Sequence, residues 1–292
     1  MGVYSIKDLE KISGIKAHTI RIWERRYNIV VPNRTETNIR LYSDTDLKRL
    51  LNIAILNKNG FKISHIANLG DDIIKERVLD LCLDVRKSDI QIESLMISML
   101  ELNESKFNNV LTHSIIKRGF ECTVEEILFP FLDRIGILWQ AGSITPAQEH
   151  FISNLIRQKL IVAIDNEMEN AKVDKLIIFF LVEGEVHELG LLFYSLIARK
   201  EGFHVLYLGG SVPLDDLIKV NDIRKADAFF SSFISPPENN DLEAILLTHK
   251  EKFPSTPFFV NGLQVRNYNK ELPQNFTDVS SVEQFKKALK EI

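Results

Sequence analysis

The 292-residue chain concentrates reactive side chains in the string EGEVHELG at 183–190, where Glu185 stands two residues before His187 and Gly190 three residues after it. A metal-bound imidazole needs one ring nitrogen for the metal and the other fixed by an acceptor, and a nearby carboxylate is a common acceptor. A histidine in a loop is more often solvated or a helix cap, so the reading depends on its surroundings. A second grouping is basic: at about 100° per residue, His18, Arg21 and Arg25 gather on the helical face opposite Ile20, Trp23 and Tyr27. In a third, Trp139 ends one helical segment while Glu149 and His150 open the next.

Each grouping needs elements to hold it. Ser5 caps a helix running through Ile12, Ser13-Gly14 marks a sharp turn, and a second helix runs from about Ala17 to Tyr27, which is helix-turn-helix spacing. VVPNRTETNIRLYS reads as a β-hairpin carrying Arg34 and Arg40. Asp44 then begins a helix that stops at Gly60, and a short one follows from near Ser64. Residues 1–70 hold 12 Lys and Arg against six Asp and Glu, a net +6, which leaves −10 for residues 71–292 out of the total of −4. A basic head on an acidic body points to a polyanion partner for the head alone.

Residues 75–168 alternate apolar and charged groups at helical spacing, with breaks near Ser88-Asp89, Asn103, Gly119-Phe120 and Gly142. A bundle of about four or five helices is expected. Trp139 falls in the last turn of FPFLDRIGILWQAG. In TPAQEH, Thr145 caps, Pro146 takes the first helical position and Gln148 completes a capping box, which sets Glu149 and His150 in the first turn. From residue 173, continuous apolar strands such as KLIIFFLV alternate with amphipathic helices. Five such units predict a flavodoxin-like, doubly wound parallel sheet, whose ligands bind beyond the carboxyl ends of the strands. EGEVHELG stands at the end of its first strand.

Hydrophobic content of 45% and charged content of 26% exclude a disordered or fibrous chain. No run approaches the roughly 18 apolar residues of a membrane span, and MGVYSIKDLEK lacks a secretory signal, so a cytoplasmic location without membrane contact is expected. Cys82 and Cys122 have neither zinc-type nor disulfide-frame spacing.

TIRIWERRYNIVVP followed by RLYSDTDLKRL resembles the DNA-binding head of the MerR family of transcriptional regulators, over residues 3 to about 70. The resemblance implies a winged helix-turn-helix whose helix bearing His18, Thr19, Arg21 and Arg25 enters the major groove. Arg34, Arg40 and Tyr42, from the hairpin, would meet the phosphate backbone. Trp139, nine residues, then Glu149-His150 resembles the upper-face signature of the CarH-like branch of that family, cobalamin-dependent photoreceptors. Glu185-x-His187-x-x-Gly190 resembles the B12-binding motif, whose usual form begins with Asp. It implies that His187 ligates cobalt from below, Glu185 bonds the other ring nitrogen and Gly190 admits the corrin tail. Ser232-Phe233-Ile234 and Asn261-Gly262 stand where that family has Ser-x-Leu and Gly-Gly, at the nucleotide tail. Asn261 replaces the first glycine, and the resemblance implies that its side chain would narrow the tail slot.

The expected architecture is therefore multidomain, α and α/β: a winged helix-turn-helix at 1–72, a helical bundle at 73–170 acting as a cobalamin cap, and a flavodoxin-like (Rossmann-like) sheet at 171–292. The expected function is non-enzymatic: a repressor on double-stranded operator DNA, sensing adenosylcobalamin and light through dimer or tetramer assembly, with His150 taking the upper face of cobalt after photolysis. Two alternatives stay open. One is a cofactor-free MerR-type regulator with a degenerate B12 domain. The other is a corrinoid carrier for a methyltransferase, which the basic head counts against.

Overall fold

The computed structural model describes residues 3–35, 38–82, 88–140, 144–167, 171–237 and 241–292, which group into two compact units, Met1–Ile152 and Ser153–Ile292. The first opens with strand β1 (Val3–Tyr4) and helices α1 (Ile6–Ser13) and α2 (Ala17–Tyr27). Ser5 and Asp8 form a reciprocal capping box at the start of α1, and Gly14 ends it at φ 68°, a left-handed turn that reverses the chain into α2. Strands β2 (Asn33–Arg34) and β3 (Arg40–Ser43) make the wing, and β1 pairs with the other edge of β3 to give the order β1-β3-β2. A second capping box, Ser43 with Asp46, starts α3 (Asp44–Lys58), and α4 (Ile63–Ile66) follows. Leu9, Ile20, Trp23, Leu47 and Leu50 are buried and form the head's core. Tyr27, expected on that core face, is only half-buried, with the Arg26 guanidinium 5.6 Å from its ring centre.

Helices α5 (Asp71–Cys82), α6 (Ser88–Leu100) and α7 (Glu104–Arg118) come next. A continuous helical run follows, made of α8 (Phe120–Thr123), a π-helical turn (Val124–Leu128) and α9 (Phe129–Gln140). Helix α10 (Pro146–Asp165) begins in the first unit and continues into the second. Glu93 of α6 is buried, and burial pushes its carboxyl above the usual range against the pull of Lys58, whose Nζ is 2.5 Å away on α3. That ion pair fastens the bundle to the last long helix of the head.

The second unit is the expected doubly wound sheet. Strands β4 (Val173–Val182), β5 (Phe203–Val212), β6 (Ala228–Ser232), β7 (Phe258–Asn261) and β8 (Phe276–Asp278) are all parallel, in the order β5-β4-β6-β7-β8. Helices α11 (Leu189–Lys200), α12 (Leu214–Ile223), α13 (Leu242–Lys252), α14 (Leu263–Arg266) and α15 (Val282–Leu289) alternate with them. Strand alternation sends neighbouring phenylalanines to opposite faces. Phe179, Phe230 and Phe259 cluster with Tyr194 and Phe285 on one face, while on the other Phe253 meets Phe229 and Phe258, and Phe258 stacks on Phe276. With both faces apolar and covered, polar groups collect at the strand ends, and the order reverses between β4 and β6, the place where such sheets hold ligands.

Candidate functional site

The loop after β4 carries Glu185 and His187 to this switch point. Glu185 is 4% exposed, and its Oε1 accepts from the backbone N–H groups of Val186 (2.9 Å) and His187 (3.0 Å) and lies 2.7 Å from His187 Nδ1. Its Oε2 reaches the loop after β6, accepting from the N–H groups of Ile234 (2.9 Å) and Ser235 (2.7 Å). Burial alone would raise this carboxyl's pKa, but the hydrogen bonds from the His187 ring and from the Ser235, His187 and Ile234 amides outweigh it and bring the group to about 2. Glu185 is therefore ionised and can only accept, so Nδ1 of His187 must be the donor. In the neutral imidazole this leaves the lone pair on Nε2, on a side chain that is 58% exposed. The loop is further held at the end of β5, where Ser211 N–H donates to the Glu185 carbonyl at 2.9 Å and Ser211 Oγ accepts from Gly184 N–H at 3.1 Å.

The other residues expected in this region lie close by. Gly190 is in the first turn of α11, and a Cβ there would stand 3.7 Å from Ser232 Oγ. Ser232 and Asn261 end adjacent strands in register, and the Ser232 hydroxyl donates to Asn261 Oδ1 at 2.6 Å, with both residues buried. Gly262 has a reason internal to the chain: at φ 109°, a Cβ would lie 2.3 Å from the carbonyl oxygen of Phe233. Thus Glu185, His187, Gly190, Ser232, Asn261 and Gly262 gather beyond the ends of β4, β6 and β7. The acid–imidazole pair fits a metal-bound corrinoid, whereas Asn261 places a side chain where the resemblance expects a glycine.

Sequence reasoning missed several residues here. Ser235 touches both Glu185 and His187, with its Oγ 3.1 Å from Nδ1. Glu188, inside the motif itself, accepts from the Tyr207 hydroxyl at 3.0 Å and pairs with Arg157 of α10, tying the loop to β5 and to the carboxyl half of that helix. Only its place in a string of acids hinted at a role.

In the first unit, Thr145 and Gln148 form the expected cap of α10: each backbone N–H is met by the other's side chain, at 3.0 and 3.3 Å. His150 is exposed, with Nδ1 2.8 Å from Glu149 Oε2. Trp139 falls on α9, but its side chain lies outside the described residues.

The basic face of α2 is accessible: His18, Arg21 and Arg25 are exposed and Thr19 is half-buried. Arg34, on the wing, is exposed and donates to Asn38 at 2.6 Å. Tyr42 corrects the expectation of a phosphate contact. It is 1% exposed, and its hydroxyl donates to Glu24 Oε2 at 3.3 Å, so it is a core residue; burial first, and then Glu24, push its pKa to about 12. Arg40 is half-buried and donates to the same carboxylate at 3.0 and 3.1 Å. Glu24, an acid in a basic helix that gave no sequence signal of its own, thereby clamps the wing to α2.

A winged helix-turn-helix with an exposed basic helix, in one chain with a doubly wound sheet bearing a fixed imidazole at its switch point, defines a nucleic-acid-binding head combined with a ligand-binding fold. Comparison with known proteins agrees. Residues 4–72 match the MerR HTH family regulatory protein family, and residues 91–163 match a B12 binding domain, a stretch that includes Trp139, Glu149 and His150. The chain is 26% identical over 272 residues to the HTH-type transcriptional repressor CarH of Myxococcus xanthus, across 91% of this chain and 90% of that protein. It is 24% identical over 270 residues to the repressor CarA of the same organism, across 91% and 89%. A solved structure, the monomethylamine corrinoid protein of Methanosarcina barkeri, shares the fold with a TM-score of 0.53 at 16% identity, over 74% of this chain and 99% of that one. The chain is a MerR-type helix-turn-helix protein that also carries a B12-binding domain, similar to CarH along most of its length. Among the described residues no helix is long and apolar enough to cross a membrane.

Proposed function

We propose that this chain is a cytoplasmic, non-enzymatic transcriptional repressor whose grip on double-stranded operator DNA is governed by adenosylcobalamin and, through it, by light. The observation that carries the reading is the pairing of His187 Nδ1 with the buried carboxylate of Glu185 at 2.7 Å, which prepares Nε2 as a cobalt ligand. The B12-domain match and the likeness to two repressors support it.

In this reading Glu185 holds the Nδ1 proton in place, Gly190, Ser232, Asn261 and Gly262 border the corrin tail, and Trp139 and Glu149 serve the upper ligand. His150 would supply a further imidazole ligand to the cobalt after illumination. His18, Thr19, Arg21 and Arg25 address the major groove, with Arg34 and Arg40 at the backbone. The three functional stretches are 1–72, 73–170 and 171–292. Bound adenosylcobalamin supplies a cobalt–carbon bond that light breaks. It controls assembly into dimers or tetramers by binding the assembled state better than the dispersed one.

Protein incubated with adenosylcobalamin in darkness should keep its red colour through a desalting column, and His187→Ala should lose most of it. Gel filtration of the same complex should show a smaller species after green light. Colourless wild-type protein would end the adenosylcobalamin reading. A second reading, a cofactor-free regulator, is favoured by one observation, the Ser232–Asn261 bond, made by residues that this reading of the motif sets at the corrin tail.

A further inference from the structure

Two glycines lie near the carboxyl ends of β4, β6 and β7, and the chain's own packing accounts for only one of them. Gly262 is required, because any side chain would collide with the backbone of Phe233. Gly190 is not. Its φ is not positive, it sits in a helix, and a Cβ would make only an ordinary 3.7 Å contact with Ser232 Oγ. Alanine would stabilise that helical position, so the bare backbone at Gly190 leaves room for a methyl group facing Ser232 that the fold itself does not need. Beside it the strand register sets Asn261 next to Ser232, and their 2.6 Å hydrogen bond lies among buried atoms. A ligand group entering past Gly190 to accept a hydrogen bond from the Ser232 hydroxyl must first part that pair.

We propose that the Ser232–Asn261 hydrogen bond is a latch that selects corrinoids by their tails. It disfavours the nucleotide-bearing tail of cobalamin and leaves a tail-truncated corrinoid of the cobinamide class unaffected. The inference rests on the reading of His187 as the cobalt ligand and adds the class of corrinoid preferred. Breaking a buried hydrogen bond of this kind weakens binding by about tenfold or more.

The test is an absorption titration of the full chain in the dark with aquocobalamin and with aquocobinamide, for wild type, Asn261→Gly and Asn261→Ala. Cobalamin must also give up its own lower base, so the deciding quantity is the change in the ratio of the two affinities on substitution. Either variant should tighten cobalamin by about tenfold and change cobinamide by less than about twofold. The alanine variant guards against a glycine-specific loss of folding. If both corrinoids bind and the ratio does not move, the latch is overturned while the cofactor reading stands. If neither corrinoid binds any of the three proteins, both are overturned.

Discussion

Glutamate at position 185 is one methylene longer than the aspartate usual in the motif it resembles, and the carboxylate uses that length to join two loops. One oxygen serves its own loop, and the other accepts from amides 49 and 50 residues further along the chain. The charge is thereby part of the fold as well as of the site. A carboxyl whose folded pKa is lowered from 4.5 to about 2 adds stability above its unfolded pKa and loses it as the pH falls from the one value to the other. Fully expressed, that difference is worth about 3 kcal/mol. Glu185→Gln should therefore lower unfolding stability by about 2–3 kcal/mol at pH 7. The deficit should shrink towards pH 2, where the wild-type group is itself protonated. Urea melts at both pH values followed by circular dichroism check this, and a deficit that is the same at both would rule out the charge as its source.

At the scale of elements, the features legible in the sequence are those made by neighbours along the chain. Ser5 with Asp8, Ser43 with Asp46 and Thr145 with Gln148 lie three residues apart, and each pair caps a helix where spacing places it. The Phe-rich strands announce a sheet buried on both faces in the same way. What spacing does not reveal is which distant residue a polar group will meet. Glu24 with Arg40 and Tyr42, Glu188 with Tyr207 and Arg157, and Glu185 with Ser235 all depend on tertiary placement. Tyr42 shows the cost: the family resemblance implies a DNA contact, yet strand alternation turns it inward. Gly262 is the reverse case, a residue that motif resemblance assigns to the ligand but whose conformation the fold demands. With φ at 109° and the Phe233 carbonyl oxygen 2.3 Å from where a Cβ would stand, Gly262→Ala must displace the loop that starts α14. The expected loss is more than about 3 kcal/mol. By contrast, Gly190→Ala should leave the melting temperature unchanged or raised. Thermal melts of the two variants separate the glycine the fold needs from the one it does not.

For the molecule as a whole, the governing asymmetry is charge. A net +6 over the first 70 residues and −10 over the remainder mean that DNA is drawn to the head and repelled by the rest. Glu24 is the acid that meets the head's basic side chains at the wing, and it is already engaged by Arg40, so the exposed Arg21 and Arg25 keep their charge for a ligand. Operator binding should then weaken linearly on a log–log plot against salt, each phosphate neutralised contributing about −0.9 to the slope. Arg21 projects from the helix assigned to the groove, so Arg21→Ala should cost about tenfold or more in affinity with the slope and the melting temperature preserved. A lost phosphate contact would instead flatten the slope by about one. Fluorescence-anisotropy titrations from about 50 to 200 mM salt distinguish these outcomes, and binding indifferent to salt would show that the positive head is not what holds the DNA.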